Sequence, residues 1–200
     1  MGSSTEASGK PVLVVTGPSG AGKGTLIRAL LERLPELEVA ISATTRLRRR
    51  GEEDGREYWF LTDAEFARRV ADGDFLEHVT YVSGKRYGTL RDEVDRIAAA
   101  GHVPVLELET EGALNVKDDV PGAMTIFITA PIPELERRLR ERASESEGEI
   151  GERIGLARKQ LAQADQFDYV VVNDDLERAM GELEEIVQRE LAAAGTMSRP

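Results

Sequence analysis

The chain has 200 residues, a formal net charge of −11 and no cysteine. Its length fits one domain, and a hydrophobic fraction of 40% beside a charged fraction of 32% is typical of a soluble globular protein. The lack of cysteine excludes disulfides and thiolate metal sites, and the acidity argues against a nucleic-acid partner. Residues 1–10 are mostly small and polar without a secretory pattern, so we expect a disordered leader, a cytoplasmic location and no membrane partner.

A glycine-rich turn between a strand and a helix comes first along the chain. The apolar, β-branched run over residues 12–16 predicts a buried parallel strand, and a helical apolar stripe begins at Leu26. Gly17 and Gly22 bracket four residues, and Lys23 follows at once. Glycines let backbone N–H groups point at one anion, and the helix N-terminus adds partial positive charge. The pattern predicts a loop that binds nucleotide phosphates, with a ligand-free glycine turn as the alternative.

The residues of this loop depart from the usual motif in one place. The candidate nucleotide-binding residues are Gly17, Pro18, Ser19, Gly20, Ala21, Gly22, Lys23, Gly24 and Thr25. The usual motif has a magnesium-binding hydroxyl directly after the lysine, whereas here Gly24 stands there and Thr25 follows. We predict that magnesium is held mainly through water and phosphate oxygens, with Thr25 as the candidate protein ligand. The spacing does not fit the dinucleotide fingerprint, which argues against a nicotinamide or flavin cofactor.

Four arginines within five residues follow the next short strand, Val39 to Ile41. They are Arg46, Arg48, Arg49 and Arg50, and hydroxyl residues precede them. Arginine forks bind phosphate oxygens bidentately, so in an acidic chain the cluster indicates a second phosphate clamp. A solvated basic turn or an address signal is the alternative.

Alternating strands and helices fill the rest of the chain. Residues 55–61 and 75–82 predict strands, and Thr62 and Thr89 predict the N-caps of two helices. A further strand is predicted over 103–109. Carboxylates at the carboxyl end of a parallel strand face the ligand crevice of an α/β sheet, and alternation places Glu107 and Glu109 on one side. A solvated strand end is the alternative.

Two arginine-bearing helices follow, joined by a polar run at 144–148. Arg138 and Arg142 are four residues apart on the first helix, and Arg153 lies on the second. The arrangement suits a mobile lid over phosphates, with ordinary surface ion pairs to glutamate as the alternative. The last core strand is predicted over 168–172, and Asn173 to Asp175 follow it and cap the final helix.

These motifs together resemble the guanylate kinase family. The matches span about residues 12–190 and comprise Gly17 to Lys23, Ser42 to Arg46, Gly51-Glu52, Tyr58, Phe75 to Glu77, Tyr87 to Thr89, Gly112-Ala113, Arg137 to Leu139 and Val171 to Asp175. The resemblance implies a three-layer α/β P-loop kinase fold with a five-stranded parallel core sheet. It further implies one domain over 11–194, with a core at 11–37 and 89–194, a GMP-binding insertion at 38–88, a lid near 138–154 and a tail at 195–200.

The resemblance also implies an activity and a set of site residues. Members transfer the γ-phosphoryl group of ATP to GMP, with magnesium, and the expectation extends to dGMP. The implied catalytic cations are Lys23, Arg138, Arg142 and Arg153, and Asn173 stands where the donor adenine is approached. The implied GMP-binding residues are Arg46, Arg49, Tyr58 and Tyr87 for phosphate and Ser42, Glu77, Thr89 and Glu109 for guanine, with Glu107 added from its strand-end position. A monomer or homodimer is expected.

Three departures from the family pattern stand beside this resemblance. Glu109 is one methylene longer than the usual aspartate, Arg48 replaces a proline, and the segment from Glu77 to Gly84 is one residue longer. Gly24 followed by Thr25 is reminiscent of adenylate kinases, so another small phosphate-ester kinase, acting on AMP or a ribose phosphate, is one alternative function. A guanylate-kinase-like module that binds peptides without catalysis is the other.

Overall fold

The computed structural model describes residues 11–81, 84–142 and 147–195. The expected leader at 1–10, the middle of the expected lid at 143–146, the side chain of Arg142 and tail residues 196–200 lie outside the described residues. So do two residues of the longer segment before Tyr87.

Strands and helices alternate along the described residues. The strands are β1 Val12–Thr16, β2 Leu37–Val39, β3 Ala43–Thr44, β4 Trp59–Phe60, β5 Phe75–Thr80, β6 Arg86–Leu90, β7 Val103–Glu107, β8 Ala123–Thr129 and β9 Tyr169–Val172. The helices are α1 Lys23–Arg33, α2 Asp63–Ala71, α3 Arg91–Ala99, α4 Thr110–Asp119, α5 Ile132–Arg142, α6 Glu147–Leu161 and α7 Leu176–Ala193, with a 3-10 turn at Ala164–Gln166.

Five parallel strands form the core sheet in the order β2-β7-β1-β8-β9. The central strand β1 is buried on both faces, which is why residues 12–15 are all apolar rather than alternating; the strand ends at the buried Thr16. Leu13 faces a cluster that contains α1 and α7, whereas Val14 faces a cluster that contains α3 and α4. The predicted three-layer architecture with a five-stranded parallel sheet is confirmed.

A second sheet, in the order β4-β3-β6-β5, falls almost entirely within the segment expected to form the insertion. It packs on α2 through Phe66, whose ring stacks on Phe75 with centroids 4.4 Å apart. Strand β4 is shorter than the predicted 55–61, because Gly55 turns the chain with φ 76° and the indole of Trp59 packs over it.

Of the two predicted helix N-caps, Thr62 and Thr89, the first is confirmed and the second is wrong. Thr62 caps α2 in a reciprocal capping box with Glu65, as its spacing predicts. The prediction for Thr89 is wrong: Thr89 lies within β6, α3 begins after Leu90, and the Thr89 hydroxyl bonds to a side chain across the sheet. Strand β7 ends at Glu107 rather than at 109, because Glu109 is already the residue that precedes α4.

Candidate active site

The loop between β1 and α1 is shaped by glycines in backbone conformations that other residues rarely adopt. Gly17, Gly20 and Gly22 all have positive φ, and a Cβ on Gly17 would stand 1.9 Å from the carbonyl oxygen of Ile128. The loop can therefore lie directly on the carboxyl end of β8. Its last residue, Gly22, is the N-cap of α1, so the start of that helix opens into the loop.

The phosphate-loop cleft, of about 320 Å³, lies at this helix start. It is lined by Ser19, Gly20, Gly22, Lys23, Gly24, Thr25, Arg28 and Glu107. The Lys23 ammonium donates to the carbonyl oxygens of Gly17 at 2.7 Å and Pro18 at 3.3 Å. These bonds hold the lysine folded over the loop at the edge of the cleft.

A neighbouring space, the insertion cleft, lies between the two sheets and measures about 420 Å³. Seven of its lining residues were singled out from the sequence: Lys23, Ser42, Tyr58, Glu77, Tyr87, Glu107 and Glu109. Lys23 and Glu107 line this cleft and the phosphate-loop cleft as well, so the two spaces meet at these residues. Sequence reasoning missed Arg56, Glu57 and Tyr81, which also line the insertion cleft. Tyr81 continues the alternation of Glu77 along the chain, and that signal could have identified it.

Glu77 is a buried carboxylate in the wall of the insertion cleft. It accepts hydrogen bonds from the Thr89 backbone N–H at 2.9 Å and from the Thr89 hydroxyl at 3.0 Å. Burial raises the pKa of Glu77 to about 6, although the two Thr89 bonds act in the opposite direction. Thr89 itself does not border the cleft and instead orients Glu77.

Arg46 lies behind the tyrosines of the insertion cleft. Its guanidinium forms a two-armed ion pair with Glu52, at 2.8 and 3.0 Å, and lies over the Tyr58 ring at 5.2 Å from the ring centre. Glu52 also accepts from the backbone N–H of Arg49 at 2.7 Å. Neither of the two expected clamp arginines lines the cleft itself. Arg46 is half-buried and held by Glu52, whereas the Arg49 side chain is exposed.

The arginines of α5 and α6 reach back to the phosphate loop. The Arg138 guanidinium donates to the carbonyl oxygens of Gly20 and Asn173, both at 3.2 Å, and to Glu134 at 2.7 Å. Arg153 donates to the Ser19 hydroxyl at 2.9 Å. Two arginines predicted from separate helices therefore contact the same loop.

A third space, the Asn173 cleft, shares Gly20, Gly22 and Thr25 with the phosphate-loop cleft. It measures about 300 Å³ and is lined by Gly20, Gly22, Thr25, Arg138, Glu141, Asn173 and Leu176. The buried Asn173 amide donates to the Ala21 carbonyl at 2.8 Å, and Gly22 leaves room for it, since a Cβ there would stand 2.4 Å from the amide nitrogen. Leu176, 46% exposed, supplies an apolar surface that sequence reasoning did not single out.

Oxygen donors for a magnesium ion are few. In the part of the chain that the structure describes, no group of three or more His, Cys, Asp or Glu could hold a metal. The phosphate-loop cleft offers the Thr25 and Ser19 hydroxyls and the Glu107 carboxylate. This set fits magnesium, which keeps several waters and binds through substrate phosphates and one or two protein oxygens.

Comparison with known proteins identifies one family. The sequence model of the family described as guanylate kinase matches residues 8–190. A guanylate kinase of Rubrobacter xylanophilus is 47% identical over 182 residues, covering 90% of this chain and 95% of the relative. A guanylate kinase of a Synechocystis species is 46% identical over 180 residues, covering 90% and 94%.

A solved structure agrees with these relatives. The crystal structure of guanylate kinase from Anaplasma phagocytophilum superposes with a TM-score of 0.72 at 29% identity, covering 90% of this chain and 86% of that one. Among the residues described here, no helix is long and apolar enough to cross a membrane.

Proposed function

The chain belongs to the guanylate kinase family, and from that premise we propose that it transfers the γ-phosphoryl group of ATP to GMP, giving ADP and GDP. The assignment of a donor site and an acceptor site rests on one observation: the phosphate-loop cleft and the insertion cleft meet at Lys23 and Glu107. One cleft contains a phosphate-binding loop and the other contains acidic, hydroxyl and phenol groups. A donor phosphate in the first and an acceptor phosphate in the second would face each other at Lys23, which is the arrangement that phosphoryl transfer requires.

The insertion cleft is proposed as the acceptor site. Guanine has N1–H and N2–H donors and an O6 acceptor, which the carboxylates of Glu77 and Glu109 and the hydroxyl of Ser42 can pair. Adenine would leave a buried carboxylate without a donor, and such mismatches reduce kcat/KM by about 10⁴-fold. Thr89 supports this recognition through its two bonds to Glu77.

The phosphate of GMP is proposed to bind near Arg46, Tyr58 and Tyr87. Tyr58 and Tyr87 border the cleft, their rings meeting edge to face at 5.9 Å. Arg46 lies over Tyr58, and its pairing with Glu52 holds the planar guanidinium in one orientation. Arg49, from its exposed position beside Glu52, is proposed as a further phosphate ligand.

The donor nucleotide is proposed to lie across the phosphate loop, with its base in the Asn173 cleft. Lys23, Arg138 and Arg153 surround this loop and would neutralise the charge of the transferred group, as would Arg142 by its place in the family pattern. Magnesium, when bound, would be held by phosphate oxygens with Thr25 and Glu107 nearby, and would supply further neutralisation of phosphate charge. A cytoplasmic location, a monomeric or homodimeric state and the use of dGMP stay predictions.

The decisive experiment measures ADP release from ATP and magnesium with GMP, dGMP, AMP, CMP or UMP as acceptor. We expect rapid turnover with GMP and little with AMP or the pyrimidine nucleotides, and Lys23→Ala protein serves as the inactive control. Faster phosphorylation of AMP than of GMP would favour the adenylate-kinase-like alternative. No turnover with any acceptor would favour a non-catalytic binding module.

A further inference from the structure

Gln160 is a buried polar residue on α6, only 6% exposed. Its side-chain nitrogen donates to Oε2 of Glu109 at 3.2 Å. A buried amide needs hydrogen-bond partners, because leaving one of its groups unpaired costs the full desolvation of that group. The residue therefore links α6, whose first half belongs to the expected lid region, to a carboxylate in the wall of the insertion cleft.

Glu109 stands between two open spaces. On one side is the insertion cleft. On the other is a larger space, the lateral cavity, of about 720 Å³, whose lining includes Val79, Leu114, Leu156 and Gln160. Glutamate has three rotatable side-chain bonds, so without a tether its carboxylate could turn into either space, and ordering it would cost conformational entropy.

Gln160 supplies that tether from the side of the lateral cavity. A carboxylate has about four lone-pair sites, so one bond from Gln160 leaves the others for a ligand. Tyr81 borders both spaces and lies beside Glu109; its burial, and then the nearby carboxylate, raise the pKa of its phenol, which stays protonated as a donor. The amide and the phenol together limit where the Glu109 carboxylate can lie.

The helix that carries Gln160 is itself anchored to the phosphate loop. Arg153 lies seven residues earlier on α6, two turns away and on the same face, and donates to Ser19. Residues Ala157 and Ile150 of the same helix are buried. The hydrogen bond to Glu109 therefore comes from a helix that has buried residues of its own and contacts the phosphate loop.

We propose that Gln160 is a positioning residue for the acceptor base: its amide holds the carboxylate of Glu109 at the wall of the insertion cleft, where the carboxylate accepts hydrogen bonds from guanine. This inference rests on the proposed function, and it assigns to α6 a role in choosing the acceptor as well as in contacting the phosphate loop.

The test compares the unchanged chain with Gln160→Leu, which has a side chain of similar volume but no hydrogen-bond donor. We expect KM for GMP to rise about tenfold, as for a lost hydrogen bond to a charged group, with kcat and KM for ATP changed less than about twofold. The preference for GMP over inosine monophosphate, which lacks the 2-amino donor, should fall as well. Gln163→Leu is the matched control, since Gln163 borders the same cavity without a side-chain bond to Glu109.

A double-mutant cycle separates positioning from general destabilisation. In a Glu109→Ala background, Gln160→Leu should cause no further rise in KM for GMP. If Gln160→Leu fails to fold, Gln160→Met takes its place, and thermal unfolding checks that this variant is folded. A folded variant with unchanged KM for GMP and unchanged GMP preference would overturn the proposal, as would an equal effect with and without Glu109. Absence of GMP turnover in the unchanged chain would instead overturn the proposed function.

Discussion

Gly112 on α4 lies directly against the carboxyl group of Glu77: a Cβ at position 112 would stand 2.6 Å from Glu77 Oε2. The two residues are 35 positions apart in the chain, yet the helix start and the buried acid share one volume. Gly112 is the third residue of α4, and glycine in a helix is less favourable than alanine, by up to about 1 kcal/mol in the interior. A steric requirement therefore explains the glycine at position 112: it leaves room for the Glu77 carboxylate in the wall of the insertion cleft.

Gly112→Ala should impair GMP binding without unfolding the protein. The added methyl group displaces the Glu77 carboxylate, so we expect KM for GMP to rise on the order of tenfold. Gly181→Ala is the control, because nothing lies within 4 Å of a Cβ there and the substitution should raise the free energy of unfolding by about 0.5–1 kcal/mol. Steady-state kinetics of both variants measure KM for GMP, and urea unfolding measures their free energies of unfolding. An unchanged KM in the Gly112 variant would contradict the account of the contact.

Glu77 should make GMP binding depend on pH. Its pKa in the folded chain is about 6, raised by burial, so the carboxylate is ionised at neutral pH and becomes protonated as the pH falls through 6. A protonated acid loses an acceptor for guanine, and we expect KM for GMP to rise below this value. Measuring KM from pH 5 to 8, with KM for ATP as internal reference, tests the prediction. A flat profile in the unchanged chain would contradict the prediction, and the same rise in Glu77→Gln protein would assign the pH dependence to another group.

The ionised Glu77 carboxylate should lower the free energy of unfolding at neutral pH. Because the folded pKa lies above the ordinary value of 4.5, the folded chain binds the proton more tightly, and stability falls as the pH rises from about 4.5 through 6. Glu77→Gln removes this cost, so its free energy of unfolding at pH 7.5 should increase by about 1–2 kcal/mol. The gain should shrink toward pH 4.5. Denaturant unfolding at the two pH values measures it, and a loss of stability at pH 7.5 would contradict it.

Arg138 and Arg137 are neighbours with different expected roles. Arg138 contacts the phosphate loop, whereas Arg137 is exposed and pairs with Glu134 and Glu141 on the surface of α5. Arg138→Ala should lower kcat by about 10²–10³-fold, the usual effect of removing one charge-stabilising donor. Arg137→Ala should leave kcat within about twofold, because exposed ion pairs contribute little. Equal effects of the two substitutions on kcat would refute the distinction.

Replacing Arg46 should weaken GMP binding even when the new residue is lysine, which keeps the positive charge. Its fork pairs with Glu52 while its plane lies over Tyr58, and a single ammonium cannot reproduce both contacts. We expect Arg46→Lys to raise KM for GMP by about tenfold or more, with a smaller change in KM for ATP. Arg48→Ala, at an exposed position of the same cluster, is the control and should keep its KM for GMP.

Local patterns in the sequence determined much of the core. The apolar run of β1, the glycine spacing up to Lys23 and the helical stripe from Leu26 identify strand, loop and helix, because each depends on residues only a few positions apart. The capping box between Thr62 and Glu65 is local in the same way. These features follow from backbone geometry and from which face an element must bury, and periodicity records both.

Tertiary structure alone decided which elements cover those faces and which side chains meet. Thr89 reads as a helix cap, but the pairing of β5 with β6 puts it beside Glu77 instead. Gln160 meets Glu109 across 51 positions, a contact that no spacing along the chain encodes. The periodic spacing of hydrophobic residues shows which face of a helix or strand is buried, but it does not show which other element packs on that face. The partners of polar groups on that surface therefore become defined only when the sheets and helices pack together.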